Sequence, residues 1–542
     1  MTDRKTRRGA DLLVQGLQQA GVSAVFSLSG NQIMPVYDAL LGSGIRLIHV
    51  RHETAAVYMA EAWAQLTGQV GVALVTAGAG LGNALGALVS AQASETPVLL
   101  LSGDSPRAQD GMGAFQELDQ AAMARPVTKL AARSEGAGAL PAELARALRT
   151  ARAGRPGPVH LALPVDVLTA AAAAETPSAD PPVQALARDD AARAARWLAE
   201  AARPLVLLGP ALSPTRTGLP IRDVEAALGA PVVCLESARG LADPAAGALV
   251  ELMCAADRVL LLGKRADFTV GFLGAKICAA TTRFAAIDPE RAELDRVRAR
   301  IGDRLDLALQ ADALPALRAL MAEGGAPARP DWRATAKALL ERRAAPPEPG
   351  AAGPGRLHPA EAGAVVERLL AAHPDTVLVC DGGEFGQWMQ AVPHSCARVV
   401  NGPSGAIGAA PAYAMAAALA RPGAPVLAVM GDGTAGFLLA EYETAAREGL
   451  RFTALVGNDA LWNAEHQIQL RDYGADRAHG CALSQAARYD RAAVALGGQG
   501  VRVASDDPAD LAAALDAALR ADGPTCIDLA ICPAPAPRVG AS

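Results

Sequence analysis

Residues 431–459 read GDGTAGFLLAEYETAAREGLRFTALVGND. The apolar run PVLAVM leads into Gly431, residues 436–449 carry Phe437, Leu438, Ala440, Tyr442, Ala445 and Ala446 at helical spacing, and RFTALVG returns as a strand. Strand, turn, helix and strand in that order predict a right-handed crossover between two parallel strands. If the strands are neighbours they lie about 5 Å apart, with Asp432 and Asn458 at the same carboxyl edge. There the two oxygen-bearing side chains would share one small cation.

A carboxylate, a carboxamide and a backbone carbonyl suit a hard cation such as Mg²⁺, which takes oxygen ligands and completes its shell with phosphate and water. Gly431 and Gly433 let the backbone approach a ligand closely, and a helix opening at Thr434 offers N–H groups to an anion. Together these residues predict a metal-bridged diphosphate.

Short apolar runs alternate with helical patterns along the whole chain: VGVALVT, PVLLLSG and PVHLAL, then PLVLLG, PVVCL, RVLLLG and RFAAID, then TVLVCDGG, PVLAVMG, FTALVG and CIDLAI. Such alternation predicts α/β architecture with mostly parallel sheets, in three doubly wound domains. Linker composition at 171–184 and 342–356 places the domains at 1–172, 185–325 and 356–532. A faint repeat relates VALVTAGAGLGNALGALVSAQASETPVLLLSGD in the first part to VLAVMGDGTAGFLLAEYETAAREGLRFTALVGND in the third.

The 542 residues exceed one core and suit about three. Aromatics supply 4% of the chain against a hydrophobic fraction of 51%, so the interior must pack mainly through small and aliphatic side chains. A net charge of −6 gives no basic footprint for nucleic acid. Eight cysteines without a CxxC pair indicate reduced thiols rather than disulfides or zinc. With no apolar leader after MTDRKTRRG and no apolar run long enough to span a bilayer, a cytoplasmic protein without a membrane partner is expected.

GDG, 24 intervening residues and ND resemble the GDG…NN motif of thiamine diphosphate enzymes, and the order of parts resembles the acetolactate synthase-like branch. The likeness covers nearly the whole chain. HVRHETAAVYMAEAWAQLTG resembles the segment whose glutamate binds the cofactor's pyrimidine, which implies Glu53 as a catalytic and cofactor-binding residue in a poorly solvated pocket. VTAGAGLGNALGAL resembles the family's TSGPG…N stretch and implicates Gly78 and Asn83. DGGEFGQW and NGPSGAIGAA match regions that hold the diphosphate and aminopyrimidine, implicating Glu384, Phe385, Gly405 and Ile407, the last as the aliphatic wedge under the cofactor.

The resemblance implies Asp432, Asn458 and the Ala460 carbonyl as Mg²⁺ ligands, with Gly431, Gly433 and Thr434 near the diphosphate. GAFQELDQAAMARPVTK resembles the segment around the family's FQE, so Phe115 and Gln116 face substrate, Gln116 catalytically. Asn31, Trp462 and Glu465 are further substrate candidates, and His466 is a candidate proton shuttle. The first and third domains would carry the thiamine diphosphate-binding fold, with the cofactor between subunits of a homodimer or homotetramer.

The activity implied is decarboxylation of a 2-oxo acid with ligation of the remaining unit to an acceptor carbonyl. Aldehyde or acyl-CoA substrates belong to the alternative, a 2-hydroxyacyl-CoA lyase or oxalyl-CoA decarboxylase-like enzyme, in which Lys264 and Arg265 could meet a nucleotide phosphate. A non-catalytic cofactor-binding protein and, from AGAGLG at 77–82, a nicotinamide dehydrogenase are alternatives of other classes. Two departures stand out: Asp459 replaces the usual second Asn, and ALWNAEHQIQLRDYG lacks the apolar stretch and tryptophan with which acetolactate synthases prefer a second 2-oxo acid. The short central part implies no tightly bound FAD.

Overall fold

The computed structural model describes residues 7–173, 183–325, 327–344, 352–395, 397–537 and 539. Residues 174–182 of the first predicted linker, 345–351 of the second, and Cys396 lie outside these residues. The chain divides into two compact units, 1–182 with 415–420 and 183–414 with 421–542.

The first unit is built on six parallel strands, β1 (Ala24–Ser27), β2 (Arg46–His49), β3 (Gly71–Val75), β4 (Val98–Asp104), β5 (Leu130–Arg133) and β6 (Val159–Pro164). They are ordered β2-β1-β3-β4-β6-β5. The interior strands are buried along their whole length, which is why they read as continuous apolar runs. Small residues set the helix packing: a Cβ on Gly71 would overlap the Ala60 carbonyl, so the Glu53–Thr67 helix lies directly on β3.

The second unit holds two sheets. β7 (Pro204–Leu208), β8 (Val232–Cys234), β9 (Arg258–Leu262), β10 (Arg283–Asp288) and β11 (Leu305–Gln310) are ordered β8-β7-β9-β10-β11. Alternate residues of β7 enter two different apolar clusters, Leu205 and Leu207 one and Val206 and Leu208 the other, so that sheet has a core on each face. The remaining strands, β12 (Val377–Cys380), β13 (Ala397–Val400), β14 (Val426–Gly431), β15 (Thr453–Asn458), β16 (Gln499–Val503) and β17 (Thr525–Ala530), are ordered β13-β12-β14-β15-β17-β16. Both sheets are parallel throughout.

β14 and β15 pair in the register that sets Gly431 against Gly457, as the opening stretch predicts. The helix between them differs from the single one expected. A four-residue helix, Asp432–Ala435, is followed by a turn and then by Glu441–Glu448. Glycines at 433 and 436 weaken a continuous helix, and Phe437, one of the residues at helical apolar spacing, is 55% exposed with its ring edge-on to Trp462 at 6.3 Å. Seven cysteines are free thiols among the described residues, and no helix among them is long and apolar enough to cross a membrane.

His160 on β6 is fully buried, its Nε2 is 2.8 Å from Ser102 Oγ on β4, and its Nδ1 has no partner among the described residues. Burial pushes the imidazole down to about 4 from its ordinary 6.5. The unfolded chain therefore takes up a proton that the folded one refuses between those values, so this contribution is full above pH 6.5 and lost as pH falls towards 4. The stake is about 3 kcal/mol. Denaturation midpoints of a His160→Leu variant should vary less with pH across this window than those of the parent; an unchanged slope would refute the assignment.

Candidate functional site

The carboxyl ends of β12, β14 and β15 open on a cleft of about 70 Å³ within the second unit. Its walls bring together Glu384, Phe385, Ile407, Gly431, Asp432, Gly433, Thr434, Trp462 and Glu465 from among the sequence candidates, and add Asp459. Ligand crevices of open parallel sheets form at this edge, where loops leave adjacent strands.

Asp432 is buried at the end of β14, where the N–H groups of Gly433 and Ala460 partly offset the effect of its burial. Asn458, also buried, ends β15; its Nδ2 donates to Asp528 Oδ1 at 3.0 Å, while its Oδ1 accepts from Ala460 N at 3.2 Å. Because Asp528 can only accept when ionised, it turns the amide so that the oxygen remains on the loop side. Asp528 is in turn held by Arg502 and by the Tyr489 N–H.

Ala460 has φ 59°, a left-handed conformation that reverses the chain just past β15. Its carbonyl accepts from Leu483 N at 2.7 Å, leaving one lone pair.

A second anchor, missed in the sequence, is Asp381 at the end of β12. Its buried carboxylate accepts from Gly382 N (2.6 Å), Gly408 N (3.0 Å) and Ala410 N (2.9 Å), tying the Ile407 loop to the strand. Burial nevertheless pushes it up to about 6. The signal was present as an Asp before two glycines at a strand end, the same grammar as Asp432. Gly405 lies exposed in this loop with φ 70°. Close approaches require several glycines: a Cβ on Gly457 would overlap the Phe385 ring, one on Gly433 would meet Trp462 at 2.8 Å, and one on Gly408 would meet Phe437 at 2.5 Å.

His466 is half-buried on the Asn463–Tyr473 helix, its N–H bonded to Trp462 O at 3.0 Å, and it is not among the cleft-lining residues. Glu465, exposed on the same helix, does line the cleft.

The remaining candidates lie in the first unit. Glu53 opens the Glu53–Thr67 helix, is only 8% exposed, and accepts from Asn83 Nδ2 at 3.0 Å. A Cβ on Gly80 would come within 3.4 Å of its other oxygen. Gly78, at φ 61°, donates its N–H to Gln120 Oε1 at 3.2 Å.

Gln116, itself at φ 60°, is tied to Gln32 Nε2 at 2.8 Å, and Gln32 Oε1 accepts from Thr76 Oγ1 at 2.7 Å. Phe115 is 74% exposed beside it, and Asn31 is exposed at the start of a short 3₁₀ turn. Gln32, Thr76 and Gln120 were not identified from sequence; contacts spanning 84 positions leave no local pattern.

Electrostatically, the cleft is one-sided. Among the described residues its lining carries four carboxylates, Glu384, Asp432, Asp459 and Glu465, and no Lys, Arg or His. Burial pushes Asp432 up to about 6. Burial and then the Asp432 charge push Asp459 up to about 7. Glu384 is raised by burial, with Glu465 adding to the rise and Arg239 opposing it.

Two desolvated carboxylates without a cation between them fit a divalent ion that would supply the missing charge. Among the described residues no three His, Cys, Asp or Glu side chains form a metal cluster, so such an ion would depend on amide and backbone oxygen.

Parallel sheets with a polar cleft and glycine turns at their carboxyl edge have the architecture of an α/β enzyme. Residues 7–123 match the thiamine pyrophosphate enzyme N-terminal TPP binding domain, and residues 381–529 match the C-terminal TPP binding domain. The chain is 31% identical to the probable acetolactate synthase of Mycobacterium bovis and, equally, to acetolactate synthase large subunit IlvG of Mycobacterium tuberculosis, over 97% of this chain and 96% of each relative. It is 30% identical to 2-hydroxyacyl-CoA lyase 2 of Bos taurus, over 93% of this chain and 86% of that protein. The chain belongs to the thiamine pyrophosphate enzyme family, as a thiamine diphosphate-dependent enzyme homologous to acetolactate synthase and 2-hydroxyacyl-CoA lyase.

A Gly433→Val variant should drive the Trp462 ring into the cleft. Weakening of thiamine diphosphate binding by about tenfold or more is expected in a fluorescence titration, from an overpacking cost of about 1–3 kcal/mol. Parental affinity in a folded variant would show that the turn does not meet the cofactor.

Proposed function

We infer that the chain binds thiamine diphosphate through Mg²⁺, decarboxylates a 2-oxo acid and ligates the remaining unit to an acceptor carbonyl. The observation that carries the metal is the cleft itself: a diphosphate cannot settle among four carboxylates with no lining base unless a cation accompanies it. Asp432, Asn458 Oδ1 and the free lone pair of the Ala460 carbonyl are the protein ligands, with diphosphate and water completing the shell. Gly431, Gly433 and Thr434 leave room and N–H groups for the diphosphate.

When bound, thiamine diphosphate supplies the carbon nucleophile that no protein side chain provides. Glu53 holds the pyrimidine N1′: one oxygen is fixed by Asn83, and the absence of a side chain at Gly80 leaves the other unobstructed. Ile407, backed by Asp381 through Gly408, supports the ring pair from below, while Glu384 and Phe385 close the diphosphate end. Gln116, made rigid by Gln32 and Thr76, meets substrate together with Phe115 and Asn31. Trp462 and Glu465 contact it from the cleft wall, whereas His466, which does not line the cleft, is left without a proton-transfer role.

The domains are 1–172 for the pyrimidine, 185–325 as a central domain without tightly bound flavin, and 356–532 for the diphosphate. A cytoplasmic homodimer or homotetramer, with no nucleic-acid or membrane partner, fits the family and the charge of −6.

The acyl-CoA alternative is supported by the lyase relatives. Lys264, however, is 4% exposed and paired with Asp267 at 3.3 Å, and Arg265 lies 3.6 Å from both Glu290 and Glu293. Both cations already meet carboxylates, which favours free acids and aldehydes over a nucleotide-bearing thioester.

Mass identification of products from 2-oxo acids, aldehydes and 2-hydroxyacyl-CoAs should show ligation of free acids with little thioester cleavage; the reverse pattern would establish the lyase. A Glu53→Gln variant should slow exchange of the cofactor's C2 proton by roughly 10²-fold or more, the scale of general acid–base effects. Parental exchange in that variant would remove Glu53 from its role.

A further inference from the structure

Within the second unit lies a cavity of about 340 Å³, larger than the cleft. One wall is the edge strand β8, through Val232 and Val233; the other is Leu378 of β12 and Met389 of the Gly383–Ala391 helix. Small-molecule pockets are concave and mostly apolar, with a few convergent polar groups. Four charged side chains converge here: Glu236, Asp243, Arg343 and Arg398.

Their pairing is uneven. Arg398 donates to both oxygens of Asp243, at 2.9 and 3.4 Å, and to Gln390 Oε1 at 3.1 Å. Glu236 is hydrogen-bonded to Ser213, and burial raises its carboxyl towards the neutral form.

Arg343 donates one terminal nitrogen to the carbonyls of Leu340 (2.8 Å) and Arg342 (3.1 Å), while its buried Nε has no partner among the described residues. Three carboxylates act on this guanidinium from a distance: Glu367, Glu341 and Asp243. Each has another partner: Glu367 accepts from the His394 N–H and lies 2.9 Å from its Nδ1, Glu341 lies 3.8 Å from Lys337, and Asp243 holds Arg398. Arg343 is thus a half-buried, cavity-lining cation to which no carboxylate is bonded among the described residues.

The geometry points to a second ligand site, in which a small organic monoanion with an aliphatic body lies against β8 and sets its carboxylate on Arg343. A hydrogen bond between two charged partners is worth more than a neutral one, so the charge contributes affinity as well as orientation. The Gly383–Ala391 helix connects this site to the cleft. Its first turn presents Glu384 and Phe385 to the cleft, and its last presents Met389 and Gln390 to the cavity. An occupant therefore bears on the element that closes the diphosphate end.

Octanoate is a suitable probe, titrated calorimetrically into the full-length protein with octanamide as its neutral counterpart. The expected result is one saturable octanoate site per chain, with binding about tenfold or more weaker for octanamide and for an Arg343→Met variant. Binding should also be lost in Ala246→Phe, which fills the cavity, and should survive saturation with thiamine diphosphate and Mg²⁺. Absence of saturable binding, equal affinity for octanamide, or displacement by thiamine diphosphate would each overturn the proposal. If Arg343→Met fails to fold, the octanamide comparison and Ala246→Phe decide.

Discussion

The site depends on parallel pairing of β14 and β15 with Gly431 opposite Gly457. A one-residue slip would turn Asp432 or Asn458 to the other face of the sheet and separate the carboxylate from the carboxamide. Burial fixes this register: Leu427, Val429 and Leu455 belong to one apolar cluster and are fully buried. Asp528 on the next strand, β17, then sets the Asn458 amide. The sheet's hydrophobic pattern thus determines where its polar edge falls.

Electrostatics limit what that edge can hold. Asp432 and Asp459 are both raised because burial removes their water and, among the described residues, neither is hydrogen-bonded to a cationic side chain. Such an arrangement is costly to the isolated chain and becomes favourable when a cation and an anion enter together. Asp459, where the motif it resembles has asparagine, belongs with it: its first influences are burial and Asp432, not an outward salt bridge. Its Oδ1 accepts from Leu461 N at 3.1 Å, so it also shapes the loop that brings Trp462 over Gly433.

Sequence and structure agree most closely where function is encoded in local repetition. Strand, glycine turn and Asp at 426–432, then strand and Asn at 453–458, could be read directly because one parallel crossover brings the two ends together. Glu53 was reached only through the resemblance of the segment around it, and the structure places it as the opening residue of a helix packed on β3. The broken helix after Gly433 was not, because Phe437 fits a helical apolar stripe by spacing yet turns outward to meet Trp462. Gln32, Thr76 and Asp528 act across 84, 44 and 70 positions respectively, and side-chain bonds of that reach exist only once the sheets have formed.

The central claim is that Asp432 and Asn458 clamp a divalent cation against the cofactor's diphosphate. Electron paramagnetic resonance with Mn²⁺ in place of Mg²⁺ tests it most directly. The account predicts one bound Mn²⁺ per chain only when thiamine diphosphate is present, lost in both Asp432→Asn and Asn458→Ala. Unchanged cofactor-dependent Mn²⁺ binding in the two variants would contradict it.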